Sequence, residues 1–183
     1  MAIANKFIQN PVTGQSIRFI RTSRDTQGQL LEMESIFEPF SKEPPPHYHP
    51  FQTELFIVQE GRIHIRINGT VKELVKDEKL EIHPNTIHSM WNPFTKKAVV
   101  SWKVQPALNT EFLLETGMGL AAHGKVGKNG SPSFLQSLLL LKRYRNVYRL
   151  AKPSYQLQRI LIIVLSPLAR LTGYKPVYKE YID

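Results

Sequence analysis

Three histidines and one glutamate constrain this chain more than any other feature. His47, His49 and Glu54 lie in the run PPPHYHPFQTELFIVQEG, and His88 lies in IHPNTIHSMWN. On a β-strand, residues two apart point to the same side. His47 and His49 therefore present both imidazoles to one face, about 7 Å apart along the backbone. Pro50 ends that strand, Glu54 opens the next with a carboxylate beside the pair, and His88 comes from a later strand. Three neutral imidazoles and a carboxylate suit a mononuclear divalent transition metal. Fe, Mn, Ni, Cu and Zn all match the ligand softness, and spacing does not choose among them. Such a donor set leaves positions open in an octahedral shell, as catalytic sites require, whereas structural zinc prefers a closed tetrahedron. A His-x-His pair alone is more often a surface pair. Here it is joined by a correctly spaced glutamate and a second histidine after a turn.

The residues around this set read as short strands with turn punctuation. Gln15–Arg21 alternates apolar and polar residues, and Leu30–Phe37 follows after DTQG. Ser41–Pro46 is proline-rich and cannot join a central strand. Ile63, Ile65 and Ile67 alternate with Arg62, His64 and Arg66, a period of two. Asn68-Gly69 marks a hairpin, and strands follow at 71–75, 79–82, 88–91 and 98–104. Many short, evenly spaced strands predict an all-β sandwich or barrel.

HYHPFQTELFIVQEG resembles the first motif of the cupins, in which His-x-His is followed by four residues, Glu, six residues and Gly. His47, His49, Glu54 and Gly61 match it without a gap. HPNTIHSMWN resembles the second motif, with His88 and Asn92 in its His and Asn positions. The departures are Asp77 and Asn85 where that motif usually has Gly, His83 where it has Pro, and Ser41 at the leading Gly of the first motif. None touches a ligand position, and Asn85 is tolerable because Asn also visits the left-handed conformation. The resemblance covers roughly residues 12–105. It implies a double-stranded β-helix (jelly-roll) barrel with the metal inside, held by His47, His49, Glu54 and His88. Its dioxygenase members imply a catalytic role for Glu54, which would leave the metal and act as a base. The family also includes sugar-binding and storage proteins, so a non-catalytic, ligand-binding or dimerising module is the alternative. The last third of the chain resembles that of uncharacterised bacterial cupins, which names no reaction.

Charge divides the chain. Of its 24 Lys and Arg and 15 Asp and Glu, residues 1–122 carry 13 of each, so the whole net charge of +9 lies in residues 123–183. We therefore expect a barrel over 1–110 and a basic α-helical C-terminal extension over 111–183. A short helix is expected over Glu111–Leu120, and HGKVGKNGSP is a connector. Ser133 caps a helix over roughly Phe134–Leu150, and Pro153-Ser154 starts another that Pro167 should kink or divide. In that last helix Leu157, Ile160, Leu161, Val164, Leu165 and Leu168 share one face. That face can pack on the barrel, pack on a second subunit as a homodimer, or lie peripherally on an anionic membrane. Its uncharged stretch is too short to span a bilayer. No nucleic-acid recognition motif accompanies the basic charge.

The chain lacks cysteine, and MAIANKFIQNPVTGQ has no charged segment followed by an apolar one. Both fit a cytoplasmic address, with the inner membrane surface as the place for any peripheral contact. The expected ligand is a small organic molecule. His64, His83 and His123 read as solvated residues, Asn92 as a loop-fixing residue, and Phe56, Val58, Met90 and Trp102 as barrel core. No nucleophile elbow or phosphate-cradling loop offers a competing site.

Overall fold

The alternating segments become ten antiparallel strands. These are β1 (Phe7–Asn10), β2 (Gln15–Arg21), β3 (Leu31–Phe37), β4 (His47–Tyr48), β5 (Thr53–Glu60), β6 (Arg62–Ile67), β7 (Thr70–Val75), β8 (Lys79–Ile82), β9 (His88–Trp91) and β10 (Ala98–Gln105). The structure, a computed structural model, describes residues 2–182. One sheet has the order β1-β2-β3-β10-β5-β8, and the facing sheet runs β4-β9-β6-β7. Crossing between sheets with every pairing antiparallel is the jelly-roll arrangement of a double-stranded β-helix.

Alternation sets the facing of each strand. Ile63 and Ile65 are fully buried, while Arg62 and His64 point away from the core. They join Phe56, Val58, Met90 and Val100 in a cluster that fills one part of the barrel. Ile17, Phe19, Leu31, Met33 and Val104 fill another. Trp102 packs against both clusters.

The turns explain the unusual residues of the two motifs. Asp77 and Asn85 have φ of 71° and 65°, so each adopts the left-handed conformation expected of the glycine it replaces. Gly61 has φ of 74°, and a Cβ there would lie 2.5 Å from the Lys97 carbonyl oxygen, so no other residue fits without a backbone shift. The buried Asn92 side-chain amide donates to the carbonyls of Phe37, Glu38 and Lys96. Its backbone N–H donates to Ser41 Oγ at 2.7 Å. The serine at the leading-glycine position thus ties the two motifs together.

Four helices follow: α1 (Thr110–Ala122), α2 (Phe134–Arg143), α3 (Tyr155–Leu171) and α4 (Lys179–Ile182). Helix α1 packs on β1 and brings Leu113, Leu114 and Met118 to the barrel interior. The buried Gln52 side chain, in the loop between β4 and β5, donates to the Pro106 and Ala107 carbonyls and to Thr110 Oγ1. That loop is thereby fixed to the start of α1. Ser133 and Ser154 cap α2 and α3 as expected, accepting from the backbone N–H groups of Gln136 and Leu157.

One expectation for the extension needs correction, and two others are narrowed. Helix α2 ends at Arg143, not near Leu150, and Arg149–Leu150 forms a strand, β11, paired antiparallel with β4 at the edge of the second sheet. Pro167 does not divide α3, which is continuous through it. Finally, α3 turns Gln158, Ser166 and Ala169 inward, half-buries Leu161 and Leu165, and leaves Leu157, Ile160, Val164 and Leu168 of its apolar stripe exposed. Its contacts are with α2, and Gln158 Nε2 donates to the Leu150 and Pro153 carbonyls. Among the described residues, no helix is long and apolar enough to cross a membrane.

Candidate metal centre

Strand pairing brings the histidines together. His47 on β4 lies opposite His88 on β9, and His49 follows two residues later in the chain. Their ligand atoms lie within 4.8 Å of one another. Glu54 enters from β5 in the facing sheet, with Oε2 at 2.8 Å from His88 Nε2 and 3.3 Å from His49 Nε2. All four residues named from the sequence thus meet between the two sheets.

The hydrogen bonds orient each ring. His47 Nδ1 lies 3.0 Å from the Pro45 carbonyl oxygen, His88 Nδ1 3.0 Å from that of Thr86, and His49 Nδ1 2.5 Å from that of Val147. A carbonyl only accepts, so each Nδ1 carries a proton, and in the neutral ring each Nε2 presents its lone pair. Such outer hydrogen bonds commonly fix metal-ligating histidines. Glu54 Oε1 accepts from Trp102 Nε1 at 2.9 Å, which leaves Oε2 toward the imidazoles.

Burial pushes the Glu54 carboxyl up, but the facing imidazoles of His49, His88 and His47 outweigh it and hold the group at about 2. Burial pulls His88 down, and the Glu54 carboxylate more than compensates, leaving it raised. His47 is held well below the ordinary imidazole value, first by burial and then by the charges of its two neighbours. The centre therefore pairs an ionised, 1% exposed carboxylate with rings that compete for positive charge. His49 Nε2 and Glu54 Oε2 are buried without hydrogen-bond partners. A buried anion and an orphaned lone pair facing each other are satisfied by a cation. The three imidazoles fit a divalent metal, and the Glu54 carboxylate lies beside them, within 3.3 Å of two of the rings.

A cavity of about 260 Å³ opens onto this set, walled by Phe56, Met90, Trp102, Leu114, Met118 and Tyr148. Outside it runs a groove of about 1040 Å³ between the Pro45-Pro46 segment, α1, α2 and residues 148–152. Pro45, Leu113, Gly117 and Tyr148 line both, so they adjoin. Tyr148 stacks on the His47 ring at 4.6 Å, and burial raises its hydroxyl, keeping it neutral.

Tyr148 and the Val147 carbonyl were missed by sequence reasoning, which carried the second helix through them. The available signal was Asn146-Val147-Tyr148, three poor helix formers in succession, two of them favourable in strands. Trp102 was read as core packing, and its bond to Glu54 gives it a positioning role as well. Trp102→Phe preserves most of the ring volume but removes the N–H. It is expected to weaken metal binding by about tenfold with the fold intact, by competition with a chelator. Unchanged affinity would mean that Glu54 needs no such support.

The remaining histidines lie away from the centre. His83 is largely solvated beside Glu81. His64 contacts Trp91 and Phe94 at ring distances of 5.5 and 5.0 Å on the outside of its sheet. His123 is exposed but not merely solvated: its ring packs on Tyr181 and its Nδ1 donates to the Gly119 carbonyl.

Comparison with known proteins bears on the fold. Residues 33–103 match the family described as "Cupin domain". A probable oxidoreductase, patJ of Aspergillus clavatus, is 24% identical over 197 aligned residues, covering 98% of this chain and 59% of that protein. The probable oxidoreductase virH of Hypocrea virens is 28% identical over 151 residues, covering 75% of this chain and 67% of that one. The chain thus spans about three fifths of the length of the patJ proteins it matches. The crystal structure of a predicted oxalate decarboxylase from Thermotoga maritima superposes with a TM-score of 0.50 at 15% identity, covering 57% of this chain and 93% of that one. That likeness concerns the fold.

Proposed function

We propose that this chain, whose residues 33–103 match the cupin domain family, is a metal-dependent cupin that takes a small organic molecule into its barrel and acts on it at His47, His49, Glu54 and His88. The observation that carries this reading is the orientation of the donors. Three Nδ1 groups are bonded to carbonyls, which leaves the three Nε2 atoms free to converge, two of them facing the buried Glu54 carboxylate. A divalent ion bound there supplies Lewis acidity toward a substrate oxygen.

The chain's own residues do the rest. Glu54 is the proposed proton acceptor: Trp102 fixes one oxygen, while the other has no hydrogen-bond partner and is ionised at neutral pH. Phe56, Met90, Leu114 and Met118 exclude water and favour a substrate with a mostly apolar body. Tyr148, between cavity and groove, positions what enters. The oxidoreductase names of the fungal relatives favour redox chemistry at this site.

Protein produced with Fe, Mn, Ni and Zn supplied is expected to carry about one transition-metal ion per chain by elemental analysis. Chelation should lower its melting temperature, because an ion that binds only the folded state stabilises it. Metal-free protein after that supply, with no melting response to any of the four ions, would overturn the reading.

A further inference from the structure

The side of α3 turned away from the protein is the apolar one. Leu157, Ile160, Val164, Leu168 and Leu171 are 45%, 57%, 64%, 48% and 86% exposed, and Ile163 beside them is 66% exposed. The side that packs inward buries Gln158, Ser166 and Ala169, with Leu161, Ile162 and Leu165 half-buried beside them. An amphipathic helix normally faces its stripe to the core. Helix α3 is apolar beyond what its inward side uses, which leaves a continuous outward apolar face about four turns long, more than a monomer ordinarily exposes on one element.

Charge identifies what covers it. Between His123 and Lys179 the chain has no Asp or Glu, and residues 123–183 carry 11 Lys and Arg against two acids. Arg159 and Arg170, both exposed, lie about three turns apart on one flank of the stripe. Two copies docked face to face through α3 would set these arginines near one another with no acid on the helix to answer them. An anionic lipid surface answers both features: the apolar side chains enter the headgroup–acyl boundary, and the arginines reach back to the lipid charges. Helix α3 has 17 residues, two of them Arg, which suits lying in the interface. The N-terminal end of α3 lies near the outer groove, since Leu150, Ala151 and Lys152 line that groove and lead directly into the α3 cap.

We propose that the exposed face of α3 docks the protein on an anionic lipid bilayer surface, with the groove mouth beside the membrane. The test is co-sedimentation of the full chain with phosphatidylcholine vesicles, with and without phosphatidylglycerol, across a salt titration. Binding is expected on the phosphatidylglycerol vesicles at low salt and should weaken as salt rises. The combined variant Ile160→Gln, Val164→Gln, Leu168→Gln keeps charge and helix formers, and its fold should be unchanged because the residues are exposed. It is expected to lose about tenfold or more of the binding. Arg159→Gln and Arg170→Gln are each expected to cost about fivefold on anionic vesicles only. The proposal is overturned if anionic vesicles bind no protein or if the three-glutamine variant binds as well as the parent. A concentration-dependent dimer that this variant dissolves, without vesicle binding, assigns the face to a second copy instead.

Discussion

His49→Ala is expected to cost at least about 100-fold in metal affinity while leaving both sheets in place. The residue lies in the loop after β4, and its backbone is not part of a ladder. Its ring has two functions. Nε2, 3.3 Å from Glu54 Oε2, is one of three imidazole donors, and Nδ1 holds the Val147 carbonyl. Alanine removes a ligand and leaves a buried carbonyl without its donor, a loss of about 1–3 kcal/mol in the metal-free protein. That is small beside a folded core made from two clusters that do not include it. The check is a pair of melting curves with and without the metal the parent carries. The parent should gain stability from the ion, and the variant should melt slightly lower without it and gain nothing at the same concentration. A variant that keeps both stoichiometry and melting shift would remove His49 from the ligand set.

The barrel and the centre were legible for the same physical reason. Inward-facing positions of a strand recur every two residues, so Ile63 and Ile65 declared one face of β6, and His47 and His49 declared a shared direction. Motif glycines report backbone conformation, not chemistry, so Asp77 and Asn85 could replace them by adopting positive φ. The meeting of His88 with His47 depends on strand pairing between distant segments. Only the resemblance made that visible, since periodicity says nothing about which strands are neighbours.

The extension was legible in composition and not in placement. Leucine spacing in α2 identified a helix but could not say where it stopped, because the stop depends on β11 finding the β4 edge. The α3 stripe was equally plain, yet its periodicity does not say whether the barrel, a partner or a lipid surface receives it. Here the inward positions went to Gln158, whose amide satisfies two carbonyls of the connection into the helix. A polar anchor, together with the half-buried Leu161, Ile162 and Leu165 beside it, sets the rotation of α3.

Ending the chain after Ala122 is expected to leave a folded barrel that binds metal about 10- to 100-fold more weakly. The two barrel clusters use no residue beyond Met118, and α1 with its Gln52 ties remains, so the core that stabilises the sheets is retained. What is lost is the Val147 carbonyl that orients His49, the Tyr148 ring that covers His47, and the strand that covers the β4 edge. Without them His49 can rotate, and the cavity opens to water along the former groove. Circular dichroism should show retained β structure, and chelator competition should show the weakened site. Tyr148→Ala in the full chain separates the two contributions: it removes the ring and keeps the carbonyl, so it should hold metal nearly as well as the parent while admitting bulkier ligands. If the shortened chain folds and binds metal as tightly as the parent, His49 needs no support from the extension. The helices would then act on the site only through access, as walls of the groove.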